Sequence, residues 1–223
     1  MDDMKDRPVS GGHRIIVAGI GPGHPDYIVS AAKRAIEQAE VLVGGRRALS
    51  QFGHESQEQM AVAGDIPAVM AFIRKQIETR DVTVMVSGDP GYFSLLDALR
   101  REFPADLLRV IPGISAMQMA FSACALPWHG ARLMSFHGRV PEPKEFRYER
   151  GAVLGMLTDG EYDSHRIPKL LMEAGWPEDT GLIVCARLSY EDEKITETTL
   201  RGALLSEPVK HGILIVRDLK EIT

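Results

Sequence analysis

Apolar residues in this chain come in short bursts separated by small and turn-forming residues. Val82, Val84, Met85 and Val86 form one burst, rich in β-branched residues, which predicts a buried strand. It stops at Ser87-Gly88-Asp89-Pro90-Gly91, before Tyr92, Phe93 and a helix predicted over Ser94 to Arg101. A strand ending in such a loop ahead of a helix matches the carboxyl end of a strand in an α/β sheet, where ligands bind. Taken alone, the stretch reads equally well as an ordinary strand-to-helix turn.

The same alternation runs on both sides of it. Arg14 to Ala18 is a predicted strand, followed by Gly19-Ile20-Gly21-Pro22-Gly23. Ile28, Ala32, Ala35, Ile36 and Ala39 have the 3.6-residue period of a helix over Tyr27 to Ala39. Val41 to Val43 is a short strand ended by Gly44-Gly45, and Arg46 to Phe52 supplies one or two helical turns. Met60 to Val62 is a third strand candidate. Ile66, Val69, Met70, Ile73 and Ile77 mark an amphipathic helix, with Pro67 in its first turn. Leu107 to Ile111 predicts a strand, and Ile114 to Cys124 a helix.

Leu126-Pro127-Trp128-His129-Gly130 reads as a connector. The predicted domains are therefore residues 13–125 and 126–223, both α/β, after a disordered tail over 1–12. In the second domain, strands are expected over Leu133 to Phe136, Ala152 to Leu157, Leu182 to Leu188 and Gly212 to Val216. Helices are expected around Ile167 to Ala174 and over Leu200 to Leu205. Tyr190 to Thr199, charged and Thr-rich, suits an exposed hairpin or sheet edge.

Composition narrows the function classes. The 223-residue chain is 44% hydrophobic and 26% charged, ordinary for a globular protein. Its formal net charge of −5 argues against bulk electrostatic binding of nucleic acid. No apolar run approaches the roughly 20 residues that span a bilayer, and the polar, acidic start is no signal peptide, so a cytoplasmic location is expected. Cys124 and Cys185 are expected as free buried thiols.

Candidate chemistry is sparse. GIGPG fits a dinucleotide fingerprint poorly: His24 stands at the third glycine position, and Pro22 removes a backbone donor where phosphate would need one. No Gly-Lys-Ser/Thr phosphate loop occurs, the histidines are dispersed, and Gly113-Ile114-Ser115-Ala116 lacks the last glycine of a nucleophile elbow. Asp89 and Asp159 are loop carboxylates, each open to a turn-capping or a functional reading. The basic pairs Arg46-Arg47 and His137 with Arg139 lie at strand ends. They read either as solvated surface or as a joint grip on an anionic ligand.

Five features in order carry a resemblance: VAGIGPGHPDYIV, VGGRRAL, VMVSGDPGYFSL, VIPGISAMQMA, and FHGR followed by LTDG. The set resembles the tetrapyrrole methylases, the class III S-adenosylmethionine-dependent methyltransferases of cobalamin and sirohaem biosynthesis. The likeness runs from about His13 to Leu219. Within the family it is closest to the precorrin-6Y C5,15-methyltransferase group, and there to its C5-methylating unit of the cobalt-precorrin-7 type. The resemblance implies two unequal α/β domains with the active site in the cleft between them.

It also implies that S-adenosylmethionine, leaving as S-adenosylhomocysteine, binds along Ser87, Gly88, Asp89 and Tyr92, with Ser115 and Ala116. Met156, Leu157, Ala186, Gly212 and Ile213 would close over adenine and ribose. Gly21, Pro22 and Gly23 would line the tetrapyrrole side, with Arg46, Arg47, His137 and Arg139 gripping a polycarboxylate substrate. His137 is the candidate for moving a proton, and Asp89 for orienting the cofactor. A homodimer and a separate C15-methylating, decarboxylating subunit are implied partners; no metal, nucleic acid or membrane is. The chain departs from the family pattern at Ser87, where glycine is common, at Glu161-Tyr162-Asp163, and over Cys185 to Ser189. Another class III methyltransferase, a nucleotide-binding oxidoreductase and a non-catalytic tetrapyrrole carrier remain as alternatives.

Overall fold

The computed structural model describes residues 12–217. The expected tail over 1–12 lies outside them except for Gly12. The chain forms two compact units, residues 1–115 and 116–223. The first contains strands β1 (Ile15–Gly19), β2 (Val41–Gly44), β3 (Glu58–Ala61), β4 (Val82–Val86) and β5 (Leu108–Ile111). Its helices are α1 (Ser30–Glu37), α2 (Arg46–Phe52), α3 (Ile66–Gln76) and α4 (Leu96–Glu102).

The strands lie in the order β3-β2-β4-β1-β5, and every neighbouring pair is parallel. Both faces are covered, as a parallel sheet requires. Ile15 and Val17 point to one face, with Val69, Met70 and Ile73 of α3 and Leu99 of α4. Ala18 points to the other, with Ala32 and Ile36 of α1 and Ala48 and Leu49 of α2. Val82, Val84, Met85 and Val86 are all buried, which is why β4 reads as a largely apolar run.

The second unit contains α5 (Ala116–Ala123), β6 (Arg132–Ser135), β7 (Val153–Leu157), α6 (Arg166–Glu173), β8 (Gly181–Ala186), β9 (Lys194–Thr199), α7 (Leu200–Ala203) and β10 (Gly212–Arg217). The order is β6-β7-β10-β8-β9. Only β6 and β7 are parallel; β10 enters between β7 and β8 and runs antiparallel to both, and β9 is the antiparallel edge. Ile167 and Leu171 of α6 and Leu200 of α7 fill one face with Phe136, Met156 and Leu214.

The start of the first helix differs from the sequence reading. The helix expected from Tyr27 starts at Ser30, because Pro25–Tyr27 forms a 3-10 turn after His24, whose Nδ1 accepts from Asp26 N at 3.3 Å. The division between units falls at Ser115/Ala116, ahead of the connector, so α5 belongs with the second sheet. Its Met117 and Phe121 lie against Gly155 of β7, where a Cβ would stand 2.6 Å from the Met117 sulfur. A helix that leaves one sheet and buries its apolar side on the next has no mark in the linear pattern.

Candidate functional site

Parallel pairing gathers the carboxyl ends of the first unit's strands on one edge. The loop after β1 and the loop after β4 join there by backbone: Gly88 N donates to Gly21 O at 2.8 Å, and Gly21 N to Gly88 O at 3.3 Å. The left-handed conformation in the SGDPG loop falls on Gly88, φ 71°, and not on Ser87. Ser87 is exposed and has no left-handed backbone, so its side chain meets no backbone strain there.

Three glycines allow these strand ends to touch. A Cβ on Gly113 would sit 2.3 Å from Gly88 O, and one on Gly19 2.7 Å from Gly113 N. Asp89 closes the arrangement. Its Oδ1 accepts from Gly91 N at 2.8 Å, and its Oδ2 from Gly113 N at 2.9 Å. The carboxylate thus ties the loop after β4 to the loop after β5, a positioning duty within the protein. Ser115 is 6% exposed, Tyr92 is half-buried, and Phe93 beside it is exposed with a left-handed backbone, φ 50°.

A cavity of about 240 Å³ in this unit is lined by Ile20, Gly23, Arg47, Gln51 and Ser87, among others. It brings the glycine-rich loop, the GGRR segment and the SGDPG loop together. Arg46 is exposed but does not line it.

In the second unit, Leu157 pairs with Ile213 and Ala186 with Gly212, so these four residues meet at one end of the sheet. Leu157, Ala186 and Gly212 are half-buried. Met156 and Ile213 are more deeply buried, 0% and 1% exposed, Met156 inside the core. Alternation along the strand turns Met156 into the core with Leu214, and puts Leu157 with its partner Ile213 on the opposite face. Ser135 pairs with Leu157, which puts the His137–Arg139 turn at the same end. His137 and Arg139 are exposed, and Arg139 Nε donates to Ser135 O at 3.3 Å.

Asp159 follows β7 and is the acceptor that the sequence reading did not place in a site. Its carboxyl is held below the usual carboxylate range, chiefly by the N–H of Tyr162, with Gly138 and Glu161 N–H groups and His137 adding. The cysteines are free thiols, as expected, with sulfurs 3.8 Å apart; burial pushes Cys185 well above the ordinary thiol range, and Cys124 up as well. No cluster of three metal-ligating side chains occurs among the described residues. No helix among them is long and apolar enough to cross a membrane.

The model of the Tetrapyrrole (Corrin/Porphyrin) Methylases matches residues 14–203. The chain belongs to this family. The cobalt-precorrin-7 C(5)-methyltransferase of Salmonella typhimurium is 29% identical over 181 residues, 81% of this chain and 88% of that protein. A probable cobalt-precorrin-7 C(5)-methyltransferase of Methanocaldococcus jannaschii is 26% identical over 195 residues, 84% and 90% of the two chains. The precorrin-6Y methylase structure from Archaeoglobus fulgidus superposes with a TM-score of 0.71 at 22% identity, over 93% of this chain and 98% of that one. This methylase therefore has the two-sheet α/β fold of its family. The sequence reading left Asp159 open between a turn and a functional role and gave Gly113 and Gln51 no bonding partner, because those bonds are set by distances across loops far apart in the chain.

Proposed function

We propose that this methylase transfers a methyl group from S-adenosylmethionine to C5 of a cobalt-precorrin intermediate of cobalamin biosynthesis. The observation that carries this is the likeness, over more than four-fifths of the chain, to two proteins named for that reaction. The residues present fit the cofactor. Ser87, Gly88 and Gly91 offer backbone and one small hydroxyl, and Leu157, Ala186 and Gly212 share one end of the second sheet, where small residues would let an adenosyl group approach the backbone. The sulfonium supplies the electrophilic methyl. The protein's contribution is orientation, worth about 7–11 kcal/mol in well-aligned systems.

Arg47 with Gly23 would hold the substrate on the first unit, and His137 and Arg139 on the second, through charge-assisted bonds to its carboxylates. Arg46, exposed beside Arg47, would guide those carboxylates in. His137 stands as the proton acceptor for the carbon that is methylated. A homodimer, a separate C15-methylating and decarboxylating subunit and a cytoplasmic location complete the reading, supported by the resemblance alone.

The test is turnover. Labelled S-adenosylmethionine with cobalt-precorrin-7 should yield product carrying one labelled methyl at C5. Methylation at another carbon, or none with an active cofactor and substrate, overturns the assignment.

A further inference from the structure

The turn that carries His137 and Arg139 is fixed at several points. Phe136 is wholly buried, with its ring 5.6 Å from Tyr162 and 5.9 Å from Phe146, and its N–H donates to Leu157 O at 2.9 Å. His137 N donates to Ser135 Oγ at 3.1 Å. Gly138 then adopts a left-handed backbone, φ 68°. Its N–H donates across the sheet end to Asp159 Oδ2 at 3.1 Å.

Asp159 uses its other oxygen locally: Oδ1 accepts from Tyr162 N at 2.7 Å and Glu161 N at 2.9 Å. Oδ1 alone satisfies an ordinary aspartate turn. The second oxygen does something a turn does not require, since Gly138 is 21 residues away. An aspartate beside side chains meant for carboxylates would also repel the substrate. Three N–H groups engage its charge instead.

We propose that Asp159 is a positioning residue that holds the His137–Arg139 turn in the geometry that receives the substrate carboxylates. The proposal rests on the tetrapyrrole reading above. The carboxylate locks the turn after β6 to the turn after β7, so His137 and Arg139 project from fixed backbone. Fixing the backbone before binding lowers the ordering cost of the complex.

Asp159→Asn is the decisive variant. A carboxamide keeps one acceptor for Tyr162 and Glu161 but presents an NH₂ group to Gly138 N–H, so the cross-sheet bond alone is lost. The expected result is a rise of about tenfold in KM for cobalt-precorrin-7, the loss of one charge-assisted bond. kcat should change little, S-adenosylmethionine affinity by calorimetry should hold, and amide hydrogen exchange at Gly138 should quicken. Asp159→Ala should show the same KM with a lower melting temperature.

An unchanged KM alongside quickened exchange at Gly138 would overturn the positioning role. Equal losses of cofactor and substrate affinity would do the same, by showing a general structural defect. Unchanged exchange would overturn the tether. Absence of turnover by the unaltered protein would overturn the substrate reading itself, and exchange at Gly138 would still report on the tether.

Discussion

Gly113 shows how little room the loops after β4 and β5 allow. A methyl group there would meet Gly88 O at 2.3 Å, well inside contact distance, and both partners are backbone. Gly113→Ala should cost about 1–3 kcal/mol, the usual range for overpacking. Thermal unfolding checks it, and calorimetry should show weaker S-adenosylmethionine binding. The arginines make the opposite case. Arg46 and Arg47 open α2, where the helix dipole disfavours cations by roughly 0.3–1 kcal/mol each. Charges kept against the local field fit a binding duty. Replacing both by Ala should raise KM for the tetrapyrrole about 10- to 100-fold while cofactor affinity stays near that of the unaltered protein. Equal weakening of both ligands in calorimetry would overturn that division of labour. Asp159 sets a pH dependence at the same scale. Its folded carboxyl titrates below the unfolded one, so its stabilisation is complete above the ordinary carboxylate range. It fades as pH falls through the depressed value. Urea midpoints of the unaltered protein and of Asp159→Asn should therefore differ at neutral pH and converge below about pH 4.

Among elements, α5 and β8 meet through Cys124 and Cys185. Burial holds both thiols protonated, and thiolate is the reactive form. Native protein should react slowly with iodoacetamide at neutral pH, Cys185 slowest, and denatured protein at both cysteines. Mass spectrometry of time points reads this directly. The strand ends are the second feature of this scale. Asp89 ties the loop after β4 to the loop after β5, and Asp159 ties the turn after β6 to the turn after β7. Each unit thus fixes its functional edge with a carboxylate that bonds backbone N–H groups.

For the molecule as a whole, a net charge of −5 opposes a polycarboxylate ligand. Attraction must come from the local cations, and exposed cations act over about 8–10 Å at ordinary ionic strength. Substrate association should slow as salt rises, while cofactor binding changes less. S-adenosylmethionine at 100 times its Kd should stabilise the fold by about 2.7 kcal/mol, with no effect from NAD. A rise in melting temperature with NAD would favour the oxidoreductase reading instead.

Much of this was legible in the chain itself. The β-branched run of β4, the amphipathic period of α3 and the glycines that end strands are local signals, set by side-chain period and backbone freedom. With the SGDPG, PGISA and FHGR segments they placed the loops and the family. The sequence by itself therefore determined which elements form, where the loops fall between them and which family the chain belongs to. It could not order β10 between β7 and β8, because antiparallel pairing over long separations leaves no local trace. Nor could it send Met156 inward and Leu157 outward, since a one-residue shift of register reverses both. The Asp89 and Asp159 ties belong to the same class. Only the tertiary structure decided them, because a carboxylate finds a distant N–H group once packing has fixed both ends.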